Sequence, residues 1–257
     1  MTLTRIQAEL YALTHRGNPG DRAFYAKACS NTRRVLELGS GYGRLIPDLL
    51  GSGASRTSKR ELWGIEQDPH MLAEAKRAVR SLTIRRQSLV HLCAGDMRDF
   101  NYDLQFDRII LPYNGLNCLL NRRDTLRCLK CVKRHLAPGG EFIFDVWLAD
   151  QFYQDAASTA YHDDPGPILT LTHRSQTWDV FEKSRLCRRL QRLDVTYTYV
   201  SREKNTEVAI QISQRYAPAA EHRALLQAAG LHVQATYGDF AQRRLGRNSP
   251  FLVVRAT

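Results

Sequence analysis

Residues 35–43 read Val-Leu-Glu-Leu-Gly-Ser-Gly-Tyr-Gly, and no other stretch constrains the chain as strongly. An apolar run, Val35, Leu36 and Leu38, carries one acid, Glu37. Glycines follow at every second position, Gly39, Gly41 and Gly43, and an amphipathic segment opens at Arg44-Leu45-Ile46. The pattern predicts a strand, a tight turn and a helix over 43–51. Glycine admits positive φ and lets a ligand approach where a Cβ would block it. A helix behind the turn offers unpaired N–H groups and a positive dipole end. Such a turn suits a nucleotide-like or carboxylate-bearing ligand.

From Arg34 onward apolar strands alternate with amphipathic helices. The spacing predicts strands at 34–38, 61–66, 88–93, 106–112 and 140–147, with helices at 68–82 and 121–136. Such alternation implies a parallel sheet covered on both faces. Pro138-Gly139-Gly140 stops a helix and turns into a strand. The pattern then changes. Three β-like stretches, 168–178, 186–200 and 206–216, read as an antiparallel insert, and 194–200 is rich in β-branched and aromatic residues. A helix at 218–229 and strands at 231–238 and 250–256 close the chain. Ahead of the glycine turn, Thr4 to Leu13 has helical spacing, and Asp21 suits the N-cap of a second helix through Phe24 and Tyr25.

A chain of 257 residues fits one large α/β domain with an insertion. No apolar run reaches the ~20 residues of a membrane span, and the first residues lack the apolar core of a signal peptide. A cytoplasmic protein without a membrane partner is expected. The six cysteines are scattered, which favours reduced thiols. Cys128, Cys131 and His135 share a helix face, but interleaved Leu129, Val132 and Leu136 make them packed side chains, and no metal is expected. The net charge of +11 is dispersed over short arginine clusters, with no basic tail.

The glycine spacing excludes two common sites. The third glycine of a dinucleotide fingerprint would fall where Arg44 stands. No Gly-Lys-Ser/Thr follows, as a P-loop needs. Glu37 would repel phosphate and attract an ammonium or sulfonium centre. Glu66, ending the second strand beside Gln67, can accept hydrogen bonds from both ribose hydroxyls. Asp96, in Ala94-Gly95-Asp96-Met97, can accept an adenine amine with Met97 against the ring. These acids end successive strands, where open α/β sheets bind ligands.

On these residues the sequence resembles the class I S-adenosylmethionine-dependent methyltransferases. Glu37 to Gly43 is similar to their glycine motif, Glu66 to their ribose acid and Gly95-Asp96 to their adenine acid. Phe106-Asp107-Arg108-Ile109-Ile110 resembles their fourth strand, and Leu136-Ala137-Pro138-Gly139-Gly140 the turn before the fifth. The resemblance implies a Rossmann-like seven-stranded sheet of order 3-2-1-4-5-7-6 with the last strand antiparallel. It implies S-adenosylmethionine as cofactor and S-adenosylhomocysteine as product. Expected cofactor contacts are Tyr11, Arg16, Tyr25, Glu37, Gly39, Ser40, Gly41, Glu66, Gln67, Asp96, Met97 and Leu111.

The loop after strand four, Leu111-Pro112-Tyr113-Asn114-Gly115, lacks the polar residue that holds a base or side-chain amide amine in some members. It is similar to the small-molecule branch, the sugar and glycine/sarcosine N-methyltransferases. Tyr113, Asn114, Asp145 and Trp147 are then expected on the acceptor side. The expected organisation is a helical lid at 1–32, a cofactor-binding core at 33–150, an insert at 151–217 that covers the substrate or forms a homodimer contact, and the rest of the core at 218–257. The first functional expectation is methyl transfer to O or N of a small molecule. RNA or protein methylation is a second reading, favoured by charge but opposed by the loop. A non-catalytic cofactor-binding regulator is the third.

Overall fold

The computed structural model describes residues 2–51, 60–150, 159–163, 165–204 and 206–257. Strands β1 (Arg34–Leu38), β2 (Glu61–Glu66), β3 (Val90–Ala94), β4 (Phe106–Leu111), β5 (Leu136–Trp147), β11 (Val233–Tyr237) and β12 (Phe251–Ala256) form one sheet. Its order is β11-β12-β5-β4-β1-β2-β3. β1 runs parallel to β2 and β4, and β12 runs antiparallel to β5. Renumbered within the sheet, this is the expected 3-2-1-4-5-7-6 order with an antiparallel last strand.

Alternation along the buried strands sends side chains to two apolar layers. Leu36, Leu38, Ile109, Phe142 and Phe144 pack with α6 (Arg122–His135) and α7 (Ala219–Ala228). Val35, Ile110, Ile143 and Val253 pack with α2 (Asp21–Ala28) and α3 (Ile46–Leu49). Helix α4 (Pro69–Arg80) starts where expected. Asp68 caps it, its carboxylate accepting from the His70 and Met71 amides at 2.9 Å each. In α6, His135 is occupied within the core: Nδ1 lies 2.8 Å from the Cys131 carbonyl and Nε2 accepts from the Tyr102 amide at 3.1 Å.

Three expectations need correction. The helix behind the glycine turn is a single turn, Ile46–Leu49, and not 43–51. Gly43 and Gly51, at φ 77° and 76°, bracket it and leave no room for more. The dipole of a long helix is therefore not what this turn offers. Asp21 is the first residue of α2, and Gly20 takes the cap position at φ 85°. Among the described residues the insert has five strands, not three: β6 (Thr159–Asp163), β7 (Leu169–His173), β8 (Gln176–Cys187), β9 (Arg192–Ser201) and β10 (Glu207–Arg215). The order is β10-β9-β8-β6, and β7 pairs with the first half of β8 while β6 pairs with the second. The first residues of the expected insert, 151–158, lie outside the described residues.

Helix α1 (Arg5–Thr14) joins insert and core. Thr4 and Gln7 form a capping box at its start. Leu10 is buried with Trp178, Val180, Tyr199 and Ile210 of the insert, and the Gln7 side chain donates to the Ala209 carbonyl at 2.7 Å. Glu9 is held by Arg5 of its own helix and by His173 and Arg174 of the insert at 2.7–2.9 Å, and toward the core Arg77 of α4 stands 3.8 Å away. No helix among the described residues is long and apolar enough to cross a membrane.

Candidate functional site

A cavity of about 400 Å³ opens at the carboxyl ends of β1, β2 and β3 and extends beneath α1 to β10. Its floor is the glycine turn. Gly39 and Gly41 hold φ at 61° and 55°. A Cβ on Gly39 would meet only Met97 Cε at 3.9 Å, and one on Gly41 would meet Met71 Cε at 3.5 Å, so added side chains would occupy cavity space. The bare backbone keeps that space for a ligand.

Two acids border the floor. Glu37 is 5% exposed at the end of β1. Burial pushes its carboxyl up to about 8; Arg44 opposes the shift and Glu66 adds to it. Such a carboxyl gains from any ligand cation that reaches it. Glu66, at the end of β2, accepts from the Gly41 amide and the Asp68 amide at 2.8 Å each. Burial raises its pKa and those amides hold the rise back. Asp68 also accepts from the Leu3 amide at 2.6 Å, which brings the chain start over the cavity mouth.

Ser40, Gln67 and Met97 join Glu37, Glu66, Gly39 and Gly41 on the wall, as does Tyr11 of α1. Tyr113 is there too, with a left-handed φ of 55°. Other expected residues stand elsewhere. Arg16 is exposed and donates to the Leu13 carbonyl at 2.9 Å. Arg44 takes the wall position, held against Asp21 at 2.8 Å with its guanidinium 5.5 Å from the Tyr113 ring centre. Asp96 turns away to Arg98, whose hydrogen bonds lower its pKa, and the cavity borders the neighbouring Gly95 and Met97 instead. Leu111 is fully buried in the core.

Tyr25 and Asp145 are also fully buried, behind the wall. The Tyr25 hydroxyl donates to Asp145 Oδ1 at 2.7 Å, and the Tyr113 amide donates to the same oxygen at 3.0 Å. Asn18 Nδ2 donates to Asp145 Oδ2 at 3.3 Å. Burial pushes Asp145 up to about 6, and the Tyr25 and Tyr113 bonds oppose that rise. Asn114 is buried with φ 61°, and its side-chain oxygen accepts from the Trp147 amide at 2.7 Å. The Trp147 ring is 45% exposed and faces Phe251, so it does not line the cavity. Asp145, Asn114 and Trp147 thus brace the Tyr113 turn from behind.

Wall components outside the expected set include His15, Tyr42, Cys118 and the run Ile210 to Ser213 of β10. His15 lies one helical turn after Tyr11, a spacing that could have flagged it. The β10 residues carry no such signal, because alternation marks a strand without saying what it faces.

Residues 35–140 match the family model described as "Methyltransferase domain". The cypemycin N-terminal methyltransferase of a Streptomyces species is 27% identical over 227 residues, covering 86% of this chain and 82% of its own. Among solved structures, the CcbJ methyltransferase of Streptomyces caelestis superposes with a TM-score of 0.76 at 23% identity, covering 93% and 90%. S-adenosylmethionine-bound CalS10, an amino pentose methyltransferase from Micromonospora echinaspora, gives 0.67 at 20% identity, covering 100% and 98%. The domain match, the sheet order and the cavity agree on S-adenosylmethionine-dependent methyl transfer by a class I fold.

Proposed function

We propose that the protein transfers a methyl group to the nitrogen of an amine carried by a small molecule. One observation carries this reading. A single cavity unites an anionic, glycine-floored half with an aromatic half, formed by Tyr11, His15, Tyr42 and Tyr113 and closed by β10. The relatives support the nitrogen: one is named a cypemycin N-terminal methyltransferase and another an amino pentose methyltransferase.

In the first half, Glu37 is placed to take the cofactor's ammonium, Glu66 its ribose hydroxyls, and Gly39 and Gly41 the close approach of its chain. Gly95 and Met97 border the place of the base. Ser40 and Gln67 complete that wall. The bound cofactor supplies an activated methyl group and its own leaving group. The residues then contribute placement and dryness. Tyr113, fixed through Asp145, sets the acceptor wall. Helix α1, with residues 1–32 acting as a lid, excludes water, and the insert covers the acceptor. Correct placement alone can lower a bimolecular barrier by about 7–11 kcal/mol. No base is required where the amine arrives neutral.

The test is turnover with S-adenosylmethionine against matched pairs of small molecules that differ only in bearing –NH2 or –OH, such as D-glucosamine and D-glucose or glycine and glycolate. S-adenosylhomocysteine should form with amine members. Turnover confined to the hydroxyl members, or to RNA or protein in a parallel assay, would refute the reading.

A further inference from the structure

We propose that His15 is a catalytic residue, whose Nε2 accepts a hydrogen bond from the acceptor amine beside the methyl donor. This rests on the reading of the cavity as an amine methylation site.

His15 ends α1, is 7% exposed and borders the cavity. Three tyrosines from three segments fix its ring. Tyr11 of α1 stacks on it at 4.0 Å with an interplanar angle of 8°. Tyr197 of β9 stands perpendicular at 4.6 Å. Tyr113 of the strand-four loop lies edge-on at 6.4 Å. The His15 carbonyl accepts from the Tyr42 hydroxyl at 2.9 Å, which ties the residue to the glycine turn. His15 therefore stands where the lid, the glycine turn, the insert and the acceptor loop converge.

The ring's two nitrogens differ. Nδ1 lies 3.3 Å from the Tyr11 carbonyl. A carbonyl can only accept, so this contact assigns the proton to Nδ1 and leaves a lone pair on Nε2. Nε2 is buried and has no hydrogen-bond partner among the described residues. An unpaired buried nitrogen is unfavourable and uncommon in folded proteins. None of the three tyrosine hydroxyls supplies the donor this nitrogen lacks, and the adjoining cavity is where a ligand N–H would come from.

The imidazole is an acceptor and not a proton carrier. Burial holds it at about 4, whereas an alkylammonium loses its proton near pH 10. Full transfer would be uphill by about six pH units, a factor of about a million. Accepting one N–H instead fixes the amine, so that its lone pair can be directed at the methyl carbon.

A cofactor analogue tests this without a known acceptor. In sinefungin, an amine-bearing carbon replaces the methylated sulfur, so an N–H stands near the transferred methyl. S-adenosylhomocysteine lacks that group. Calorimetry on the full chain should show that His15→Leu lowers the preference for sinefungin by about tenfold, while affinity for S-adenosylhomocysteine stays within about twofold. His15→Gln, which keeps an acceptor, should restore part of the preference. An unchanged ratio in His15→Leu would overturn the proposal. Should that variant fail to fold, ¹⁵N spectra of the wild-type histidines decide. The His15 Nε2 resonance should move on exchanging S-adenosylhomocysteine for sinefungin, and a fixed resonance refutes the assignment. If neither ligand binds the wild type, the cofactor site itself is misread, a separate failure.

Discussion

Glu37 and Asp145 show how much one residue's surroundings decide. Both were singled out from sequence, and both are buried acids with raised pKa values. Glu37 borders the cavity; Asp145 is sealed behind it by three donors. Chain position gave the strand ends, but which oxygen meets solvent depends on packing. Glu37 should therefore show its pKa in binding. Its carboxyl is pushed up to about 8, so the free protein holds a proton there below that pH and must release it to meet a cation. Cofactor affinity should rise between about pH 6 and 8 and level off above. Calorimetry at pH 7 in buffers of different ionisation enthalpy should detect released protons. Glu37→Gln should bind more weakly and lose both the proton release and this part of the pH dependence. The same dependence in the variant would refute the assignment.

At the level of elements, the parallel strands were readable because each is a short apolar run bounded by glycine or an amphipathic helix. The insert was not. Its β7–β8 turn is made by Arg174 and Ser175, both at positive φ, without the Gly or Asn that usually marks a hairpin. Charged residues on the outer face of β8, Asp179, Lys183 and Arg185, hid its continuity. Long-range ties were equally illegible, and Asp145 is the chief one. It links α2, through Tyr25, to the Tyr113 turn. Asp145→Ala leaves those donors unpaired and should destabilise the fold by about 2–3 kcal/mol. Asp145→Asn keeps an acceptor and sheds a buried charge, so its melting temperature at pH 7 should stay near wild type. The pH sign follows from linkage. The folded pKa, about 6, lies above the ordinary aspartate value of 3.8, so the folded state binds this proton more tightly. Asp145's contribution is fully present below about pH 4 and is lost as pH rises through 6. Asp145→Asn should lack that slope in denaturant titrations, and a wild-type slope in the variant would discount the buried carboxyl.

Across the whole molecule, α1 is the element on which both halves close. It packs Leu10 into the insert while Glu9 collects Arg5, His173 and Arg174. Glu9→Ala should stay folded at a lower melting temperature, because Glu9 is buried and its removal strips His173 and Arg174 of their carboxylate. It should also speed release of bound S-adenosylhomocysteine several-fold in stopped-flow measurements. An unchanged release rate would mean that α1 does not gate the cavity.

The insert also has a consequence for how such a protein can diversify. It leaves the core after β5 and returns before α7, and none of its described strands pairs with the seven-stranded sheet. Among its described residues, one run, Ile210 to Ser213, reaches the cavity wall. Changes there can alter which molecule is accepted while Glu37, Glu66 and the glycine floor stay untouched. Part of the cavity wall is thus carried by a segment that is separate from the core sheet, and a descendant gene could change that part without rebuilding the glycine floor.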